Sequence, residues 1–396
     1  MERLSAEDAL RLNVLLANEP LAVRIDESSL TVYGLSAQGE SVVRLNPNCR
    51  DEIYLRRVRE LISSQVLGSP GGYPVYLRRW TRMGQARDEH LAKLLLLGEP
   101  EAVVAVVYAP GLTEELARRA WWAMPTADNA RIMLCREAVA RSAIGRELAA
   151  YLIDYLPFEQ EAQAMIDSIR LVLQPGLIDA ATRDVLWARA ANKPSYYVGF
   201  LWAQPDALPE PAAPHPLAAT LDPVLAEAGE AAPLARLLRR LLSAPGQAFL
   251  EVLGRALERP GNQDVVVSLV ECIHDYFHPL APPELPRDPD ALRVQAETRA
   301  AGAGAEAELV ARLRAAEPGV ASLLPALFLL AAVGEPLVAP VFARTDAIGS
   351  VMRRKLEPVL GPVQDAIRAL LGQADEARAR RGGPSGRRRA RLSRRR

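Results

Sequence analysis

Two stretches of this chain have residue types and spacings that could do chemistry. Residues 271–278 read ECIHDYFH. On a helix Glu271, His274, Asp275 and His278 fall at i, i+3, i+4 and i+7 and share one face. Histidines four apart can chelate zinc, but a tetrahedral site needs further ligands, and the other two histidines are His90 and His215. Val266, Leu269, Val270, Ile273 and Phe277 make the opposite face. The spacing therefore predicts an amphipathic helix with a solvated polar face, and no metal is expected there.

The second stretch is 68–83, GSPGGYPVYLRRWTRM. A phosphate-binding P-loop needs GxxxxGK[ST], because a lysine must reach the phosphates and a hydroxyl must hold magnesium. A dinucleotide loop needs GxGxxG between a strand and a helix. Neither pattern is present, so Gly68, Gly71 and Gly72 are expected to supply turn conformations at a joint. The segment beyond these glycines reads two ways. As a strand, Tyr76, Arg78, Trp80 and Arg82 share a face that could stack on bases and contact phosphates. As a helix, Tyr76, Trp80 and Met83 form an apolar stripe with Arg78, Arg79 and Arg82 outward, which joins more smoothly to the sequence beyond. No GxSxG occurs, and the four histidines carry no Ser–His or Cys–His signature. The residues nominate no catalytic group and no cofactor, so a non-enzymatic role is favoured over an enzyme with an unrecognised site.

The elements that would position these stretches can be read from periodicity. Ser5-Ala-Glu-Asp8 resembles a capping box and opens a helix to about Ala17. AVRID, LTVYGL and SVVRL alternate apolar and polar residues and read as three short strands of an antiparallel meander. A helix comes next over about Asp51–Leu67, with Arg56, Arg57, Arg59 and Glu60 outward. Residues 1–67 thus form a small α+β module and 68–85 a joint. From about residue 86 the period is helical. LLLLGEPEAVVAVV (94–107) and LLAAVGEPLVAPVF (329–342) share Gly-Glu-Pro punctuation between helices, the pattern of HEAT-like repeats. The apolar run 320–343 is expected to form two short buried helices split at Gly-Glu-Pro, with no membrane insertion.

PGLTEELARRAWWA (110–123) aligns with PGLIDAATRDVLWA (175–188), with identical residues at Pro, Gly, Leu, Arg, Trp and Ala. The repeated Arg-x-x-x-Trp places Arg118 beside Trp122 and Arg183 beside Trp187 at i, i+4. Leu112, Leu116, Ala120 and Ala123 form the apolar face of the first copy; Leu177, Ala181, Val185 and Ala188 form that of the second. Each tryptophan is expected at the rim of its face. It either fills the groove between stacked repeats or anchors a partner. Arg118, Trp122, Arg183, Trp187, Arg78, Trp80 and Arg82 are therefore the candidate partner-binding residues.

The fold class that emerges is mostly α: a small N-terminal α+β module, HEAT-like helical repeats over 86–202, a second helical block over 217–377 and a disordered basic tail over 378–396. The Pro-rich stretch 203–216, AQPDALPEPAAPHP, reads as a linker. The chain has 396 residues, 48 basic and 48 acidic. The tail holds ten arginines and no acid, so residues 1–377 carry a net −10. A protein partner is expected, and Arg387, Arg388, Arg389, Arg394, Arg395 and Arg396 could bind nucleic acid. Only 3 lysines stand against 45 arginines, which makes any single arginine weak evidence. Cys49, Cys135 and Cys272 are odd in number and far apart, as in a reducing cytoplasm. MERLSAEDALRLN does not read as a signal peptide.

Across LGSPGGYPVYLRRWTRMGQ, LLLLGEPEAVVAVVYAPGLTEELARRAWWAM and YLPFEQEAQAMIDSIRLVLQPGLID the chain resembles the DsrS family, over about residues 5–205. That family is encoded with the reverse dissimilatory sulfite reductase system of sulfur-oxidising bacteria. The resemblance implies a cytoplasmic accessory or regulatory protein serving oxidation of stored sulfur. It carries over no active residue and no mechanism.

Overall fold

A computed structural model of the chain describes residues 4–74, 88–344 and 347–373. It is mostly helical, with one small antiparallel sheet near the N-terminus. The chain forms two compact units. The first comprises Met1–Phe158 with Gln174–Asp179, the second Glu159–Leu173 with Ala180–Arg396.

The first unit opens with α1 (Ala6–Ala17) and the strands β1 (Ala22–Asp26), β2 (Thr31–Ser36) and β3 (Gly39–Arg44), succeeded by α2 (Asp51–Leu67). The strands form the expected meander in the order β1-β2-β3. Arg24 faces Tyr33 and Tyr33 faces Val42 across the sheet. On the opposite face Ile25, Val32 and Val43 line up. Val23, Val32, Val43, Leu12, Leu15, Tyr54, Val58 and Ile62 close the core under α1 and α2. Alternation along each strand makes this two-sided sheet: one face is buried and the other carries polar and aromatic residues.

Ser5 caps α1 as its spacing predicts, its hydroxyl accepting from the Asp8 amide at 3.1 Å. The second half of the capping box does not form. Asp8 is fully buried and turns inward, where its Oδ2 accepts from the Tyr54 hydroxyl at 2.5 Å and the Asn46 amide at 2.8 Å. The Ser5 amide donates to the Tyr54 hydroxyl instead, at 3.3 Å. An aspartate is one methylene shorter than the glutamate of a full box, and here a tertiary donor takes its carboxyl group.

Helices continue the unit: α3 (Asp88–Leu94), α4 (Pro100–Tyr108), α5 (Glu114–Ala123), α6 (Ala127–Leu134), α7 (Glu137–Ala140) and α8 (Ala143–Tyr155). Pro100 at the first position of α4 and Thr113 and Thr126 at the caps of α5 and α6 set the starts of these helices. Helices two apart pack together, α4 with α6 and α6 with α8, as in a stacked helical array.

The second unit comprises α9 (Ala162–Val172), α10 (Ala180–Ala190), α11 (Pro194–Ala203), α12 (Ala218–Ala228), α13 (Pro233–Leu242), α14 (Ala244–Glu258), α15 (Gln263–Phe277), α16 (Pro289–Ala300), α17 (Ala307–Ala316), α18 (Val320–Ala331), α19 (Glu335–Phe342) and α20 (Gly349–Leu370). Again helices two apart pack closely: α9 with α11, α16 with α18, α18 with α20. Gly199 makes the α9–α11 approach possible, because a Cβ there would meet the Ile169 side chain at 2.6 Å. The apolar run 320–343 forms α18 and α19, bent by 62° at the Gly-Glu-Pro break. Together they have the length and composition of a span, but among the described residues no single helix is long and apolar enough to cross a membrane. Most of α18 is buried in the unit core.

Residues 204–216, within the stretch read as a linker, run as an irregular strap fixed along the second unit. Asp206 takes both arms of the Arg240 guanidinium at 2.7 Å, and Glu210 pairs with Arg255 at 3.0 Å. The His215 amide donates to the Leu242 oxygen at 2.9 Å. Prolines keep the strap extended while its acids and amide find partners on α13 and α14.

Candidate partner-binding surface

The glycine-rich stretch 68–74 folds against α2 and the start of α4. The Ser63 hydroxyl donates to the Ser69 oxygen at 2.6 Å and accepts from the Gly72 amide at 2.8 Å. The Tyr73 amide donates to Glu99 Oε2 at 3.0 Å. Gly72 has φ +60, and a Cβ on it would run into the Glu99 carboxylate. The loop therefore holds a carboxylate of its own chain where a P-loop would hold phosphate. A cleft of about 540 Å³ beside it is lined by Arg56 and Arg59 but also by Glu27, Glu60, Glu99 and Glu101. Arg59 is tied to Glu27, so the cleft offers an anion little net attraction. Arg78, Trp80 and Arg82, with Tyr76, Arg79 and Met83, lie outside the described residues.

The two copies of the Arg-x-x-x-Trp repeat have different surroundings. In the first, Leu112, Leu116, Ala120 and Ala123 are buried as their spacing predicts. Arg118 does not pack on Trp122; its guanidinium is exposed and pairs with Glu114 at 3.0 Å. It is Arg24, from β1, that stands over the Trp122 ring at 5.0 Å and over Tyr33 at 4.6 Å. The Trp122 indole N–H donates to Glu40 Oε2 at 3.0 Å. Its neighbour Trp121 is the buried one, donating to Glu147 at 2.8 Å and meeting Tyr151 edge to face at 4.8 Å.

In the second copy the expected apolar face is corrected. Ala181, Val185 and Ala188 are not buried, whereas Leu186 and Ala190 are. Alanine and valine offer little area to bury, and the one large aliphatic residue, Leu186, decides which side of α10 turns inward. Arg183 lies 3.6 Å from Asp184, and Trp187 packs edge to face on Tyr197 and Phe200, at 5.1 and 5.0 Å. Trp187 is thus a member of an aromatic cluster between α10 and α11.

A counterpart of the Trp122 cluster does exist in the second unit, at a residue the repeat does not mark. Trp202, half-buried at the end of α11, donates its indole N–H to Asp275 Oδ2 at 3.0 Å. Arg170 of α9 stands over its ring at 4.8 Å. The polar face of α15 therefore serves an indole. The opposite face is buried as expected, through Val266, Leu269, Val270, Ile273 and Phe277. His274 and His278 meet edge to face at 5.6 Å. Among the described residues no group of three or more His, Cys, Asp or Glu is arranged to hold a metal ion. Burial and the neighbouring carboxylates of Glu335 and Asp275 raise the Glu271 carboxyl above its ordinary range, against the opposing pull of Arg170. Cys272, between them in sequence, is buried and its thiol is pushed up by that burial.

Each unit thus displays a half-buried tryptophan whose indole N–H is held by a carboxylate and whose ring carries an arginine. Sequence reasoning found Trp122 and set Asp275 on a polar helix face, but missed Arg24, Glu40, Trp202 and Arg170. The one available signal was Asp275 on the polar face of 271–278. Comparison of the chain with protein-family models, curated proteins and solved structures found no match.

Proposed function

We propose that this protein is a non-catalytic helical interaction scaffold, a cytoplasmic accessory or regulatory protein of dissimilatory sulfur oxidation of the DsrS kind. The sulfur setting rests on the sequence resemblance over residues 5–205. The scaffold reading is supported by one observation above all: the two Trp–Arg–carboxylate clusters, Trp122–Arg24–Glu40 and Trp202–Arg170–Asp275. Tryptophan and arginine dominate the energetics of protein interfaces. A ring already oriented by its N–H bond and an arginine already stacked lose little freedom on binding, so affinity is gained at low entropic cost.

The partner is a protein of the sulfur-oxidation system, engaged through these clusters. A second contact, with nucleic acid, is open to the tail, whose ten arginines carry no balancing acid. The deciding experiment is copurification of the tagged full-length chain from sulfur-grown cells, with mass spectrometry of the captured proteins. Trp122→Ala and Trp202→Ala should each lose the same partner while keeping the helical circular-dichroism spectrum. Retention of that partner by both folded variants would show that binding lies elsewhere. Loss of nucleic acid at moderate salt, and on removal of 378–396, would assign any such contact to the tail.

A further inference from the structure

Strand β3 is an edge of the three-stranded sheet. The opposite edge is covered, because the Val23 amide of β1 donates to the Leu95 oxygen at 2.8 Å. The Leu45 amide donates to the Leu30 oxygen at 2.9 Å and continues the β2–β3 ladder beyond Arg44. In an antiparallel ladder the residues facing the neighbour alternate. Leu45, Val43 and Ser41 therefore turn their backbone groups toward β2, and Glu40, Val42 and Arg44 turn theirs outward. Among the described residues no backbone group pairs with these outward groups. All three residues are exposed, Val42 to 52%.

Open edges are ordinarily blunted by proline, bulges or charge. This edge is charged, but its charges are arranged symmetrically, with Glu40 two residues before Val42 and Arg44 two residues after. We propose that β3 pairs antiparallel with β3 of a second copy, about a two-fold axis through Val42, to make a continuous six-stranded sheet. In that register Glu40 lies opposite Arg44 of the second copy, twice over, and Val42 lies opposite Val42. The same residues are the ones whose backbone groups point outward, so the ladder and the ion pairs select one register together. A one-residue shift would set outward groups against groups already bonded to β2. A two-residue shift would place a charge opposite valine and lose both ion pairs.

On the outer face the row Arg24–Tyr33–Val42 would continue into its copy, so Val42 gains an apolar neighbour where it now meets water. Glu40 enters this contact already braced by the Trp122 indole and by Arg24 at 3.6 Å. The contact is isologous, each edge used once, so it closes at a dimer and does not propagate. Short strands bury little area, and a dissociation constant of about 10–100 μM is expected, weakening with salt.

Sedimentation velocity of the full chain from micromolar to near-millimolar concentration tests this. The wild type should pass from monomer to dimer. Val42→Pro removes one outward N–H and leaves the β2 ladder intact, so it should stay monomeric with an unchanged circular-dichroism spectrum. Should that variant fail to fold, Val42→Lys sets two like charges on the two-fold axis and should also be monomeric. Arg44→Glu and Glu40→Arg should each weaken self-association at least ten-fold, and an equimolar mixture of the two should recover it as a heterodimer. A wild type that stays monomeric throughout would overturn the proposal, whether the edge is then vacant or takes a strand from another protein. Dimerisation of the Val42 variants at wild-type strength, or no recovery in the mixture, would overturn it as well.

Discussion

Trp122 and Glu40 stand 82 residues apart in sequence and 3.0 Å apart in space, indole N–H to carboxylate. The bond ties α5 to the strand edge of the N-terminal sheet and orients the ring under Arg24. The adjacent Trp121 faces the other way, into the core.

This division predicts opposite outcomes for neighbouring residues. Trp121→Ala removes a buried ring that packs on Tyr151, and should cost about 3–5 kcal/mol. Trp122→Ala removes a half-exposed ring and should cost about 1–2 kcal/mol. Urea denaturation of both variants checks the order. Equal losses would mean that Trp122 is a core residue and not a surface anchor.

The buried Asp8 carboxyl group depends on Tyr54. Tyr54→Phe keeps the ring and removes one of the two donors to Asp8 Oδ2, leaving the buried carboxyl group with the Asn46 amide alone. A loss of about 1–3 kcal/mol is expected. The double variant Asp8→Ala with Tyr54→Phe should then lose less than the sum of the single changes, since each removes the partner the other needs. Strict additivity in a denaturation cycle would argue against the coupling.

Gly72→Ala joins two penalties, a positive φ and a Cβ against the Glu99 carboxylate. It should destabilise the first unit by about 1–3 kcal/mol and release the loop, seen as faster proteolytic cleavage near residues 68–74. The companion change Glu99→Ala removes the collision but also the bond to the Tyr73 amide. Unchanged cleavage in Gly72→Ala would show that the loop is not held by this contact.

His215 anchors the strap with its ring buried. Its Nδ1 accepts from the Leu217 amide at 3.1 Å, and its Nε2, which a Cβ on Gly372 would meet at 3.4 Å, has no hydrogen-bond partner among the described residues. Burial holds its pKa below the usual histidine value. A group with a depressed folded pKa contributes stability that is present above its unfolded value, near 6.5, and lost as the pH falls through the folded value. Stability should therefore decline on the acid side of about pH 6.5, and His215→Gln should flatten that decline. Denaturant midpoints at several pH values from about 5 to 8 measure it. An identical slope in the variant would place the acid sensitivity in other groups.

Much of the architecture was legible in the residues, for local reasons. Alternation over 22–45 specified three strands, the Gly-Glu-Pro break at 334–336 split the apolar run, and Ser5 and Pro100 marked helix starts. These signals act within a few residues, so sequence carries them directly. The face of α15 was legible too, because a 3.6-residue period decides which side is apolar.

The candidate surface was legible only in part. The repeat at 110–123 and 175–188 pointed to arginines four residues from each tryptophan. Arg118 went to Glu114, and the arginine over Trp122 came from β1. The two copies also diverge in burial, since Trp121 and Leu186 hold the inward positions that the shared residues do not mark. An indole N–H and a guanidinium take the acceptor and ring that packing brings to them. Sequence spacing along one helix limits that choice but does not make it. The sequence by itself determined the meander and the helical periods, because period and caps are local properties, whereas the exposed edge of β3 followed from the strand pairing. Tertiary structure alone decided that Glu40 meets Trp122, that Asp275 meets Trp202 and that Glu99 fills the glycine loop, because each pairing joins groups whose proximity is set by how distant elements pack.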